Sequence, residues 1–147
     1  MSYLSKFFIT VSILLFSFST IYSQKNGDTV IANNVKNLKL KVYYFHSEIR
    51  CNTCLSIEKC VRKTLDSLFQ NQLETGVIDF YILNAEKQEN LMIVKKFDAY
   101  GSTLVLAEYL NGKEGKFEDI TNWAFKKIYS PSLFIKELSE KINLITK

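Results

Sequence analysis

The chain has little excess charge of either sign, few cysteines, one histidine, one proline, and no apolar run long enough to span a bilayer. Its 19 Lys and Arg against 15 Asp and Glu give a formal net charge of +4 at pH 7. The positive charges are scattered, in Lys39, Lys41, Arg62, Lys63, Lys95, Lys96, Lys126 and Lys127, as on a solvated face, so nothing in the balance argues for nucleic acid as a partner. The apolar stretch Phe7 to Phe18 is a dozen residues, short of the roughly 20 that cross a bilayer, and no cysteine lies in it to carry a lipid. Three cysteines make no disulfide framework, and none is needed: Leu, Ile, Val, Phe and Tyr are plentiful enough for one core in a domain of this size. No repeat and no low-complexity segment interrupts the chain.

The first segment has the three-part layout of a secretory signal peptide: a single positive charge at Lys6, the apolar run, and the small-polar stretch Ser19 to Ser23. Cleavage is expected after Ser23, with Gln24 as the new N-terminus, and the alternatives are a buried core helix and an uncleaved membrane anchor. Removal of residues 1–23 takes Lys6 and no acid, leaving 18 basic and 15 acidic side chains in 124 residues. The organisation expected is a signal peptide over 1–23, a flexible lead-in over 24–37 with room for a short strand at Val30-Ile31-Ala32, and one domain over 38–147. Such a protein is exported, periplasmic or envelope-associated, touches a membrane only through its signal, and is expected to be a monomer.

From Leu38 the pattern alternates and then becomes continuously aromatic and β-branched through Phe45, the signature of a strand that enters exposed and finishes buried. Ile57, Cys60, Val61, Thr64, Leu65 and Leu68 recur at steps of three and four, predicting an amphipathic helix that ends near Gln70 to Leu73. Gly76 then opens a second strand, Val77 to Leu83, so strand, helix and strand form a βαβ unit with parallel strands. A helix of about three turns carrying Leu91, Ile93, Val94 and Phe97 follows. Thr103 to Leu110, the turn Asn111-Gly112 and Lys116 to Ile120 predict an antiparallel hairpin. The end is helical: Asn122 is placed to cap a short helix with Trp123 and Ile128, and Ser130-Pro131 starts a last helix whose stripe is Phe134, Leu138, Ile142 and Ile145. The class is α/β, with a central four-stranded mixed sheet flanked by helices.

The chemistry converges on His46-Ser47-Glu48-Ile49-Arg50-Cys51-Asn52-Thr53-Cys54, where the first strand runs into the first helix. A Cys-x-x-Cys pair there places its first thiol where unpaired backbone N–H groups and the helix dipole favour a thiolate. Cys51, with Arg50 beside it, is therefore the expected nucleophile, and Cys54, one turn deeper, the resolving thiol. An inert structural disulfide is the plainer alternative. Cys60 belongs to the apolar stripe and is expected to be a core thiol rather than a third ligand. His46 either supports the thiolate or caps the strand end through a backbone bond. Glu58 is either a proton-transfer group, if its face is covered, or an exposed carboxylate paired with Arg62. Tyr43, Tyr44, Phe45 and Phe80 are expected in the core.

The element order and the place of the CxxC are those of the thioredoxin fold. Within that class, Val42-Tyr43-Tyr44-Phe45-His46 followed by Arg50-Cys51-Asn52-Thr53-Cys54-Leu55-Ser56-Ile57-Glu58 resembles small thioredoxin-like bacterial proteins known as the ArsF-type subunit of a nitrophenyl-compound nitroreductase. The similarity runs from about residue 38 and includes the Trp123 segment and the final helix. It implies electron delivery to a nitroaromatic or organoarsenical reductase. Two positions depart from ordinary thioredoxins: Ser102 stands where they have a cis-proline before the third strand, and Tyr44 is the nearest counterpart of their buried carboxylate. Both changes remove groups that general protein-disulfide exchange uses.

Two function classes follow. One is an exported dithiol–disulfide oxidoreductase or electron-relay subunit working with a membrane or periplasmic redox partner, its only redox group the Cys51–Cys54 disulfide, with no further cofactor. The other is a module that binds a soft ion, Cu(I) or As(III), through Cys51, Cys54 and His46, since thiolates select soft ions by the chemistry that makes them nucleophiles.

Overall fold

The computed structural model describes residues 37–147. The expected signal peptide and all of the lead-in before Asn37, including the strand at 30–32, lie outside the described residues.

Strand β1 (Leu40–His46) is one of the two inner strands of the sheet. Its alternation divides the side chains between two layers: Leu40, Val42 and Tyr44 enter one core, Tyr43 and Phe45 the other. Helix α1 (Asn52–Leu68) and the short α2 (Gln70–Glu74) lead to β2 (Ile78–Asn84), which pairs parallel to β1 from Leu40 opposite Ile78 to His46 opposite Asn84. A 3-10 turn (Gln88–Asn90) and α3 (Leu91–Phe97) follow. Strand β3 (Thr103–Leu110) pairs antiparallel on the other side of β1, and β4 (Lys113–Asp119) closes the sheet in the order β2-β1-β3-β4. Helices α4 (Thr121–Lys127) and α5 (Pro131–Thr146) complete the chain.

One face of the sheet is covered by α1, α4 and α5, through Ile57, Val61, Leu65, Ala124, Phe134, Leu138 and Ile142. Val94 and Phe97 of α3 cover the other, against Tyr43, Phe45, Val105 and Ala107. A parallel β1/β2 pair joined by a helical crossover, extended by an antiparallel hairpin, with a CxxC at the β1–α1 junction, is the thioredoxin-like arrangement that the sequence predicts.

The ends of several elements differ from expectation. Helix α1 stops at Leu68, where Phe69 leaves helical geometry at φ −132° and buries its ring, so Leu68, assigned to the stripe, is 52% exposed. The stretch before Phe97 yields a 3-10 turn and a seven-residue helix rather than three α-helical turns, ended by Asp98 in the left-handed region. Asn122 lies inside the helix and not at its cap: α4 begins at Thr121 with Ile120 at the N-cap, two residues earlier than expected, and Asp119 Oδ1 accepts the Thr121 N–H at 2.8 Å. Ser130 does sit at the N-cap of α5 with Pro131 next, but its side chain makes no capping bond. The Asn111-Gly112 turn has positive φ at both residues, 53° and 76°, as a two-residue hairpin of this twist requires.

Candidate functional site

The β1–α1 junction builds the site from its backbone. Cys51 is the N-cap of α1, with extended geometry at φ −77° and ψ 157°. Its carbonyl accepts the first helical bond from Leu55 N at 3.0 Å, and its sulfur accepts the Cys54 N–H at 3.0 Å. Thus Sγ of Cys51 occupies the place a Ser or Asp oxygen takes at a helix start, satisfying an orphan donor on the positive end of the helix dipole. Cys51 is exposed while Cys54 is buried, and the two form a disulfide with Cα atoms 5.1 Å apart.

Beneath the pair lies a group of polar side chains from three segments. The Tyr44 hydroxyl, from β1, donates to the Cys54 carbonyl at 2.7 Å. Ser102, just before β3, and Arg50 both approach that hydroxyl; burial, the larger effect, raises its pKa and keeps it a neutral donor. The peptide bond at Ser102 is trans, with no cis peptide among the described residues. Arg50 does not extend toward solvent beside Cys51: its guanidinium lies 5.8 Å from the Tyr44 ring centre and ion-pairs with Glu58. Glu58 also accepts Arg62 Nε at 2.8 Å, the expected i, i+4 pair, yet its side chain is only 14% exposed rather than freely solvated. Burial pushes its carboxyl pKa up, and the hydrogen bonds and charges of Arg62 and Arg50 outweigh that and hold it below the usual carboxylate range.

His46 takes the strand-end role: its Nδ1 lies 2.9 Å from the Ser47 carbonyl. Its ring lines a groove of about 390 Å³ at the carboxyl ends of β1 and β2, with Glu48, Asn84, Lys87, Glu89 and Asn90. There Asn84 Nδ2 donates to Glu48 at 2.5 Å, which ties the β1–α1 loop to β2. Among the described residues no group of three or more His, Cys, Asp or Glu side chains could hold a metal ion. Cys60 is buried and free among Ile57, Val61 and Leu65, and burial raises its thiol pKa.

Two features escape the sequence reading. Tyr44, read as core and as the nearest counterpart of a buried carboxylate, supplies a hydroxyl that holds the Cys54 carbonyl; its alternation with Val42 toward the helix-bearing face was the signal available for that bond. Arg50 pairs with Glu58 eight residues on, a spacing no helical periodicity marks, because Arg50 lies ahead of the helix and folds back along it.

No protein-family model matches the chain, and no curated protein matches it. Among solved structures the chain is similar to the crystal structure of thioredoxin from Trypanosoma brucei brucei, at 18% sequence identity and a TM-score of 0.41, covering 80% of this chain and 87% of that one. The thioredoxin-like fold is carried by the sheet order and by the position of the close Cys51–Cys54 pair, and these equip the chain for thiol–disulfide redox chemistry.

Proposed function

We propose that the protein is an exported thiol–disulfide electron relay in which Cys51 exchanges with the partner and Cys54 resolves. The observation that carries this reading is the Cys51 sulfur at the N-cap of α1, accepting the Cys54 N–H, with Cys54 buried behind it. In the reduced protein that position favours a Cys51 thiolate. The thiolate attacks a partner disulfide and forms a mixed disulfide, releasing one partner thiolate that takes up a proton. Cys54, deprotonated as it attacks Cys51, expels the second partner thiolate and closes the ring. Two electrons have then passed from this protein to its partner, whose two thiols take one proton from Cys54 and one from solvent, and the Cys51–Cys54 disulfide is restored.

Export follows from the three-part N-terminal segment, and an oxidising envelope keeps the pair as the disulfide unless a dedicated reductant supplies it. That requirement suits a relay or subunit better than a free-standing enzyme. Resemblance to ArsF-type subunits makes a membrane or periplasmic reductase acting on nitroaromatic or organoarsenical compounds the partner class. Ser102 in place of a proline, and Tyr44 in place of a buried carboxylate, fit a dedicated partner rather than general disulfide exchange.

Expression with the native N-terminus in a bacterium with a periplasm tests the reading. Cys54→Ser is expected to accumulate in the envelope fraction, beginning at Gln24, as a mixed disulfide through Cys51. A chain kept in the cytoplasm contradicts export, and trapping through Cys54 in Cys51→Ser instead contradicts the assignment of roles.

A further inference from the structure

Arg50, the charged residue next to the dithiol in sequence, does not stand free. It is ion-paired to Glu58, and Glu58 in turn to Arg62, while its guanidinium rests near the ring of the tyrosine that holds the Cys54 carbonyl. The loop before α1, the second turn of α1 and the end of β1 thus meet behind Cys54. Arg50 Nε is buried and has no hydrogen-bond partner among the described residues. A buried donor left unmatched is uncommon in a native fold, and here it accompanies a guanidinium drawn inward by a carboxylate. Arg50 and Glu58 are respectively 20% and 14% exposed at their side chains, so solvent screens their charges less than those of surface ions.

We infer that Arg50 and Glu58 form an opposed charge pair that sets the reduction potential of the Cys51–Cys54 couple, Arg50 favouring the reduced thiolate and Glu58 offsetting it. The inference rests on the redox reading of that couple and makes both residues positioning residues rather than catalytic ones. The other groups at this place are Arg62, whose cation acts in the same sense as Arg50 from the solvent side, and Tyr44 and Ser102, which stay neutral. In the reference reaction two glutathione thiols reduce the protein disulfide: the Cys51–Cys54 bond breaks, one glutathione disulfide bond forms, and two electrons pass to the protein. Any charge that stabilises the Cys51 thiolate draws this equilibrium toward the reduced protein.

The two single variants are therefore expected to move in opposite directions. Glu58→Gln leaves Arg50 and Arg62 uncompensated, so the equilibrium constant for reduction by glutathione rises and the pH midpoint of Cys51 alkylation falls. Arg50→Gln leaves the carboxylate, so the constant falls and the midpoint rises. Each shift is expected to be about tenfold in the constant, or about 30 mV for a two-electron couple. Arg50→Lys keeps a cation and stays near the wild type, and the double variant Arg50→Gln/Glu58→Gln returns toward it. Should Arg50→Gln fail to fold, Arg62→Gln shifts the constant in the same direction by less. A purely structural pair would lower stability in both variants without separating their potentials. Shifts of the same sign, or none, in a protein whose wild type equilibrates with glutathione overturn the inference alone; a wild type that does not equilibrate overturns it together with the redox reading.

Discussion

Tyr43 and Tyr44 are consecutive on β1 and nearly equally buried, at 4% and 1% exposed, yet their hydroxyls serve opposite layers of the molecule. Tyr44 faces α1, where it holds the Cys54 carbonyl and meets Arg50. Tyr43 faces α3, stacks on Tyr81 at 5.1 Å and lies 5.0 Å from Phe97; burial, the largest influence, pushes its pKa up to about 12. Both layers are built from the same residue types by the same strand alternation. What separates them is the element each faces: α1 has Cys51 at its N-cap and Cys54 in its first turn, and α3 brings Val94 and Phe97 to the core.

Removing packing on the α3 side should break the fold without reaching the thiols. Phe97→Ala deletes a ring in contact with Tyr43, Phe45 and Phe117, and is expected to cost about 3–5 kcal/mol in urea denaturation. The alkylation profile of Cys51, measured below the unfolding transition, should stay as in the wild type. A shifted profile would mean that the two layers are coupled.

The paired tyrosine variants sharpen the contrast. Tyr44→Phe removes the second donor to the Cys54 carbonyl, which keeps its place in the helical ladder, and is expected to cost about 0.5–1.5 kcal/mol, with a change in the rate at which Cys54 resolves a mixed disulfide. Tyr43→Phe should lose stability at most, with resolution unchanged. Equal resolution rates in the two would remove Tyr44 from the site.

The smallest effect expected is one of pH. Glu58 has its carboxyl held below the ordinary range in the fold, so the folded chain binds fewer protons at this group than the unfolded chain does. Its contribution to stability is then full above the ordinary carboxylate value of about 4.3 and lost as pH falls through the lowered one. Glu58→Gln should flatten that part of the acid limb in a series of urea midpoints, and an unchanged limb would show the pair to be without weight in stability.

The sheet was legible because strand alternation and helical periodicity both report burial, and burial is what β1, α1 and α5 are made for. Tyr43 and Tyr44 divide between faces as a period of two demands, and Phe134, Leu138 and Ile142 line α5 as a period near four demands. The cysteine pair was legible because its position at the helix start fixes which sulfur can act as the cap. The fold-back of Arg50 onto Glu58 was not, since a loop side chain chooses its partner only after α1 and β1 have come together. The same holds for Phe69, whose burial depends on how the chain turns toward β2, and for the start of α4, where Ile120 and not Asn122 is the N-cap and the end of β4 presents Asp119 to the Thr121 N–H.

The position of Cys51 at the N-cap is the centre of the account, and thiol alkylation rate against pH measures its consequence directly. In reduced Cys54→Ser, the Cys51 thiol is expected to titrate below the free-thiol value of about 8.5, within the range reached by thiols at helix starts. In reduced Cys51→Ser, Cys54 is expected to react more slowly at neutral pH and to titrate higher, being buried. A Cys51 that titrates at or above the free-thiol value, or a Cys54 that reacts faster, would contradict the account.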